Sequence, residues 1–258
     1  MRWYWWILIL IALVALAAFF LPLSFVLRQA APGLEAERVE GSIWNGRLRG
    51  ASYGGIPIGD VDAGLDFGRL LQGEANVRFE RLGPRLSGRA GGTLEDRRLE
   101  GLNGELPLSI LPQGFPPVRL QFEDVSLHLG RRQNCLSASG VVTASLPDLP
   151  GLRRVPPLST TPRCEGDALI VPLNAPDQRL ALHIGVAPGG VWKAGLGIRL
   201  ESPLAAAALV AAGFTPTPEG VRLDSSGTFD DLRALEQAAR GAVQAEKPQD
   251  AGLTAEPR

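Results

Sequence analysis

Two histidines, His128 and His183, and two cysteines, Cys135 and Cys164, are the residues best suited to acid–base, metal or thiol chemistry in this 258-residue chain. Neither histidine has a second ligand at metal-binding spacing. Both lie in runs of alternating apolar residues, so each is expected to face solvent from a strand. The neighbouring carboxylates Glu123 and Asp124 could in principle share acid–base work, but such a pair on a strand surface is ordinarily solvated. HExxH, GxSxG and phosphate-loop patterns are absent from the sequence. Gly195-Leu196-Gly197 lacks the third glycine of a dinucleotide turn and sits within a strand pattern. The expectation is a protein without catalytic residues, metal ligands or cofactor, acting through binding or structure.

The cysteines belong to no CxxC pair and have no histidine near them at zinc spacing. Two lone cysteines in an exported body read most simply as one disulfide, Cys135 to Cys164, formed in an oxidising compartment. The alternative is two unrelated buried thiols in a cytosolic domain. The N-terminus bears on that choice. Trp3 to Leu27 is an uncharged run of 25 residues between Arg2 and Arg28. As a helix it would reach about 38 Å, enough to cross a bilayer with some tilt. A cleaved signal peptide would have a shorter apolar region, about 7–15 residues, and Ala30-Ala31 before Pro32 makes a poor cleavage site. Trp3, Tyr4, Trp5 and Trp6 suit an interfacial aromatic belt. Basic residues flank the run almost evenly, so orientation rests on the cysteines: N-terminus cytoplasmic, body periplasmic.

The body must then be built from elements that the apolar pattern reveals. Gly (31) and Pro (21) make up about a fifth of the chain, too much for long helices. The period is mostly two. Val61, Ala63, Leu65 and Phe67 alternate with polar or small residues, as do Leu180, Leu182, Ile184 and Val186, and then Trp192, Ala194, Leu196, Ile198 and Leu200. Between Leu120 and Leu129 the parity changes near Glu123–Asp124, which predicts a β-bulge. The expected fold is mainly β: a curved, antiparallel, meandering sheet, with one or two short C-terminal helices. Ser202-Pro203 opens the first, over an alanine-rich stretch ending at Gly213. Asp230 or Asp231 caps the second, which runs to about Ala242. The proline-rich segment Leu146 to Pro162 reads as an extended connection tethered by the disulfide, and Gln244 to Arg258 as a disordered tail.

The organisation expected is a stub and transmembrane anchor over 1–29, a periplasmic β-rich domain over 30–229, and a short helix with tail over 230–258. A net charge of −1 gives no reason to expect nucleic acid, and the excess of arginine over lysine (24 to 2) is scattered rather than clustered.

One short motif stands apart: Gly41-Ser42-Ile43-Trp44-Asn45-Gly46, just behind the apolar run. Taken alone, its tryptophan is expected to close one end of a small core. The motif resembles the GT-x-W-x-G pattern that follows the membrane span in type II secretion system protein N (general secretion pathway protein N). Leu70-Leu71-Gln72-Gly73, Cys135 ahead of Gly140, Cys164-Glu165-Gly166, and Glu201-Ser202-Pro203 with Leu209 and Gly213 follow in the order that family shows. The resemblance covers roughly residues 1–229, with Ser42 replacing threonine. It implies a single-pass inner-membrane protein, an accessory of the machinery that exports folded proteins, with other secretion components as partners and no catalytic residue. Envelope lipid-handling proteins of the AsmA kind share a similar rhythm and one N-terminal span. That alternative implies an apolar β-groove open to lipid, whereas a protein scaffold implies a filled inner face.

Overall fold

The computed structural model describes residues 34–231, apart from 54–55, 71, 73, 82, 84, 94–95, 109–114 and 149–154, together with 4–6, 9, 23–24 and 234. Alternating apolar side chains need one face to bury, and sixteen described strands supply it in one antiparallel sheet. The first half comprises β1 (Leu34–Glu35), β2 (Arg38–Ser42), β3 (Asn45–Tyr53), β4 (Ile56–Leu65), β5 (Ala75–Arg81), β6 (Leu86–Gly92), β7 (Asp96–Leu108) and β8 (Val118–Gly130). The second comprises β9 (Cys135–Ser145), β10 (Leu158–Thr160), β11 (Arg163–Glu165), β12 (Ala168–Asn174), β13 (Leu180–Ala187), β14 (Val191–Arg199), β15 (Thr215–Thr217) and β16 (Gly220–Thr228).

From β3 to β10 each strand lies beside its successor in the chain, as a meander requires. β1 and β2 both pair with β3 at one edge, β15 stands at the other, and the sheet is open. It is also strongly curved. Ile56 of β4 packs against Trp192 of β14, although eight strands separate them in the sheet: β5 to β10, β12 and β13. A row of aligned bulges contributes to that curvature. The ladders of β7 with β8 and of β8 with β9 both slip around Asp124, as the parity change predicts. Asp124 adopts φ +49°, and its N–H donates to Asn103 Oδ1 at 2.9 Å. Across β9, Gly140 (φ +92°) leaves room for the Asp124 carbonyl and brings Val125 Cα within 2.6 Å of where a Cβ would stand.

The inner face from β8 to β16 is filled. Leu120, Val142, Leu158, Leu173, Leu182, Leu196 and Val221 are buried against one another. Every second residue of β14 from Trp192 to Ile198 is buried, which is the expected period. Helix α2 (Pro203–Ala211) follows as expected: the Ser202 hydroxyl accepts the Ala205 N–H, Pro203 occupies the first turn, and Leu209 with Phe214 seats the helix on the core.

Several expectations need correction. Phe67 does not extend β4: Asp66 Oδ1 accepts the Gly68 N–H at 3.0 Å, ending the strand and starting helix α1 (Phe67–Leu70). The proline-rich connection contains a strand, since β10 fills the place between β9 and β12 and its Leu158 is fully buried. The helix after β16 is capped by Thr228, not by Asp230 or Asp231. Asp231 N–H donates to Thr228 Oγ1 at 3.2 Å, and Asp231 Oδ2 accepts from Thr228 N–H at 2.8 Å, a reciprocal capping box. Phe229, Asp230, Asp231 and Ala234 are helical; the other residues of the helix expected to run to about Ala242, and the tail from Gln244, lie outside the described residues. So does most of the anchor expected over Trp3–Leu27, of which Tyr4–Trp6, Ile9, Leu23 and Ser24 are helical. Among the described residues no helix is long and apolar enough to cross a membrane.

Candidate functional site

The Gly41–Gly46 motif builds a corner of the sheet. β2 and β3 are joined by a two-residue turn, Ile43-Trp44, between the paired residues Ser42 and Asn45. Gly41, at φ +86°, brings β2 close to Asn45. The turn is held down by Leu65, whose N–H donates to the Ile43 carbonyl at 2.8 Å. Ile43 is the buried side chain of the turn, 6% exposed. Trp44, expected to close one end of a small core, is half-buried; its ring meets Phe67 edge to face, with centroids 5.5 Å apart. Its indole N–H is buried without a hydrogen-bond partner among the described residues. Gly46 is required by close approach: Leu23, from the apolar N-terminal run, occupies the space a side chain would need. Leu23 is 6% exposed and packs with Leu48, Ala51, Val61 and Ala63 on the inner face.

On the outer face of the same corner lies a shallow cleft of about 330 Å³ lined by Trp44, Asp62, Asp66, Phe67, Arg78 and Glu80, among others. Charged pairs of the facing strands lie in and beside it. Arg47 and Asp62 are cross-strand partners, and Arg47 Nε lies 2.6 Å from Asp62 Oδ1. Arg49 Nη1 lies 2.9 Å from Asp60, which also accepts the Gly50 N–H at 2.9 Å. Arg78 lies 3.8 Å from Asp66. The Arg47 hydrogen bond holds the Asp62 carboxyl below the usual carboxylate range. For Asp60 the Gly50 N–H does most of this, followed by Arg49. Carboxylates held ionised by neighbouring guanidinium groups are poor proton donors or acceptors near neutral pH, so the arrangement orders the corner rather than performing acid–base chemistry.

The other chemically capable residues are dispersed. Cys135 and Cys164 are joined as a disulfide with Cα atoms 5.5 Å apart, tying the start of β9 to β11. The Cys135 N–H also donates to Asp167 at 2.9 Å, so the tether has a backbone counterpart. His183 is exposed on β13, as expected. His128 is not: it is half-buried, and its Nε2 contacts Asp96, the first residue of β7. Partial desolvation opposes ionisation of Asp96, but the hydrogen bonds from Arg98 and His128 outweigh it and leave this carboxyl below its ordinary range. Glu123 and Asp124 are exposed on the bulge. Among the described residues no group of three or more His, Cys, Asp or Glu is placed to hold a metal ion. The Arg47–Asp62 and Arg49–Asp60 ladder was missed by sequence reasoning, although R-x-R in one strand and D-x-D in the next carried its signal.

An open antiparallel meander with an ordered, charge-paired corner defines a β-rich body. Residues 32–224 match the family model of type II secretion system (T2SS), protein N. The chain therefore belongs to that family, which ties it to type II secretion. No curated protein and no solved structure matches it significantly.

Proposed function

We propose that this protein is an accessory scaffold of the type II secretion machinery, anchored in the inner membrane and holding partners on its periplasmic body. In this reading residues 1–29 are the cytoplasmic stub and anchor, 30–229 the periplasmic domain, and 230–258 a helix and tail. The observation that carries the scaffold role is the outer edge of β16. β14 pairs with the whole of β16 on one side, but β15 covers only Gly220–Arg222 on the other. Among the described residues no strand pairs with the far side of Leu223–Gly227. Such a row of open backbone groups is a template for a partner's strand. The disulfide suits an oxidising compartment.

The inner face favours this reading over lipid handling, because Leu158, Leu173, Leu182 and Leu196 have no exposed surface. The test is a photo-crosslinking residue at the exposed Ser226, introduced in cells that express the secretion machinery. Capture of secretion components at Ser226, and not at the remote Glu40, is the expected result. Recovery of phospholipid alone would overturn the scaffold in favour of the lipid-handling alternative. A periplasm-dependent reporter fused after Phe229 checks the topology; activity only from a cytoplasmic reporter would reverse it.

A further inference from the structure

We infer that the Trp44–Phe67 corner is a membrane-contact surface, seated in the interface of the bilayer that the N-terminal run enters. This rests on the anchor reading proposed above. The apolar run is longer than a bilayer demands, and the structure gives its surplus a use. Leu23 lies within the run, yet it is buried against Gly46 and packs with Leu48, Val61 and Ala63 of the sheet. A residue docked on the body cannot also sit deep among acyl chains, so the span is what precedes it. Trp3 to Pro22 is 20 residues. As a helix that is about 30 Å, the thickness of the hydrocarbon layer. Leu23 thus marks the point where the chain leaves the bilayer, and the corner it touches stands at the same level.

That corner carries the side chains an interface takes up. Phe67 is 59% exposed and Leu70 39% exposed, both on α1, beside the half-buried Trp44. Trp44 holds the Phe67 ring edge to face, which fixes its direction at little cost in side-chain freedom. Aromatic rings at headgroup depth are a regular feature of membrane boundaries. The arginines nearby, Arg47, Arg69 and Arg78, are each matched by a carboxylate: Asp62, Glu74 and Asp66. The contact is therefore apolar insertion rather than attraction to anionic headgroups, and it should survive salt. Its consequence is a fixed tilt of the sheet on the membrane, since the body is held at two points, Leu23 and the Phe67–Leu70 turn, rather than by one flexible link.

The test uses the full chain in vesicles of phosphatidylethanolamine and phosphatidylglycerol. An environment-sensitive fluorophore is attached to Phe67→Cys, to Leu70→Cys, or to the distant, exposed Leu204→Cys as reference. At positions 67 and 70 the emission should shift to the blue, aqueous iodide should lose access, and lipids spin-labelled near the headgroup should quench; at 204 none of this should occur. High salt should leave the pattern unchanged. If positions 67 and 70 are as wet as 204 while the protein resists carbonate extraction, the corner does not touch lipid and the anchor stands. If carbonate releases the protein, the anchor itself fails, and the corner proposal with it. Shielding from iodide without quenching by lipid would mean a second copy covers the corner, which also overturns the proposal.

Discussion

Replacing both bridged cysteines by alanine is the perturbation whose size follows most directly from the fold. The bond joins positions 29 residues apart and ties β9 to β11 across a loop that includes β10. For a closed loop of that length the chain-entropy relation gives about 12 cal/mol/K, or about 3.6 kcal/mol near 25 °C. Alanine is the right replacement at Cys135, which is buried, because serine would add an unsatisfied hydroxyl to the measured cost. With a urea slope of about 2–3 kcal/mol/M, the denaturation midpoint should fall by about 1–2 M. The assay is equilibrium unfolding of the double variant beside the oxidised parent, with the bond verified by mass spectrometry of a non-reduced digest. Trypsin should also cleave faster at Arg153 and Arg154, which lie inside the bridged loop. A midpoint equal to the parent's, with the bond proven intact in the parent, would refute the argument that this loop is held by its tether.

Trp44→Ala should destabilise by about 2 kcal/mol, below the 3–5 typical of a fully buried aromatic, because the ring is half-exposed and loses chiefly its contact with Phe67. Trp44→Phe should lie within about 1 kcal/mol of the parent, because it removes a buried N–H without a partner along with some ring volume; thermal melts of the two variants decide this. Gly140→Ala should cost more than about 2 kcal/mol, since a Cβ there meets the backbone of Asp124 and Val125, whereas Gly166→Ala, at φ +59° with open space around it, should cost only about 1–2 kcal/mol. Asp60 and Asp62 have folded-state values below their unfolded ones, so their stabilisation is complete above the ordinary carboxylate range and disappears as pH falls through the lowered values. Acid titration of stability in low salt should therefore steepen below about pH 4 and flatten in Asp60→Asn; about 1 M salt should shrink the difference, because these groups are exposed and screened.

Much of the body was legible because burial has one face here. β14 buries Trp192, Ala194, Leu196 and Ile198, and β13 buries Leu180 and Leu182, so their parity was visible in the sequence. The bulge at Asp124 was visible because it reverses that parity within one strand. Helix α2 announced itself through Ser202 and Pro203, whose capping chemistry is local. What escaped depends on register or on contacts between distant segments. Phe67 keeps the parity of β4, but the Asp66 side chain captures the next turn's N–H groups and overrides it. β10 is three residues long, too short for any period to declare itself among prolines. Seeing His128 against Asp96, or Arg47 against Asp62, requires knowing which residues of neighbouring strands face each other. The corner showed the limit most clearly. Its glycine was recognisable from the motif, but its reason, the seat taken by Leu23, lies more than twenty residues upstream.

The pairing of each strand from β3 to β10 with its successor means that neighbours in the chain are also neighbours in the sheet, as in a zipper. Each new hairpin finds its partner already in place, so the entropy of loop closure is met in small steps, and stability accumulates between neighbours as in a solenoid. A body whose strands become available in sequence order could add each one to its predecessor, without waiting for a distant sequence. Beyond β10 the order is broken where β12 pairs with β10 and β16 with β14, and two further contacts close across it: the cystine that latches β11 to β9, and the curl that brings Ile56 to the Trp192 cluster. In that order the disulfide could close once β11 is in place and the curl only once β14 is, so a chain halted before β11 would carry a formed meander, free thiols and an unrolled sheet.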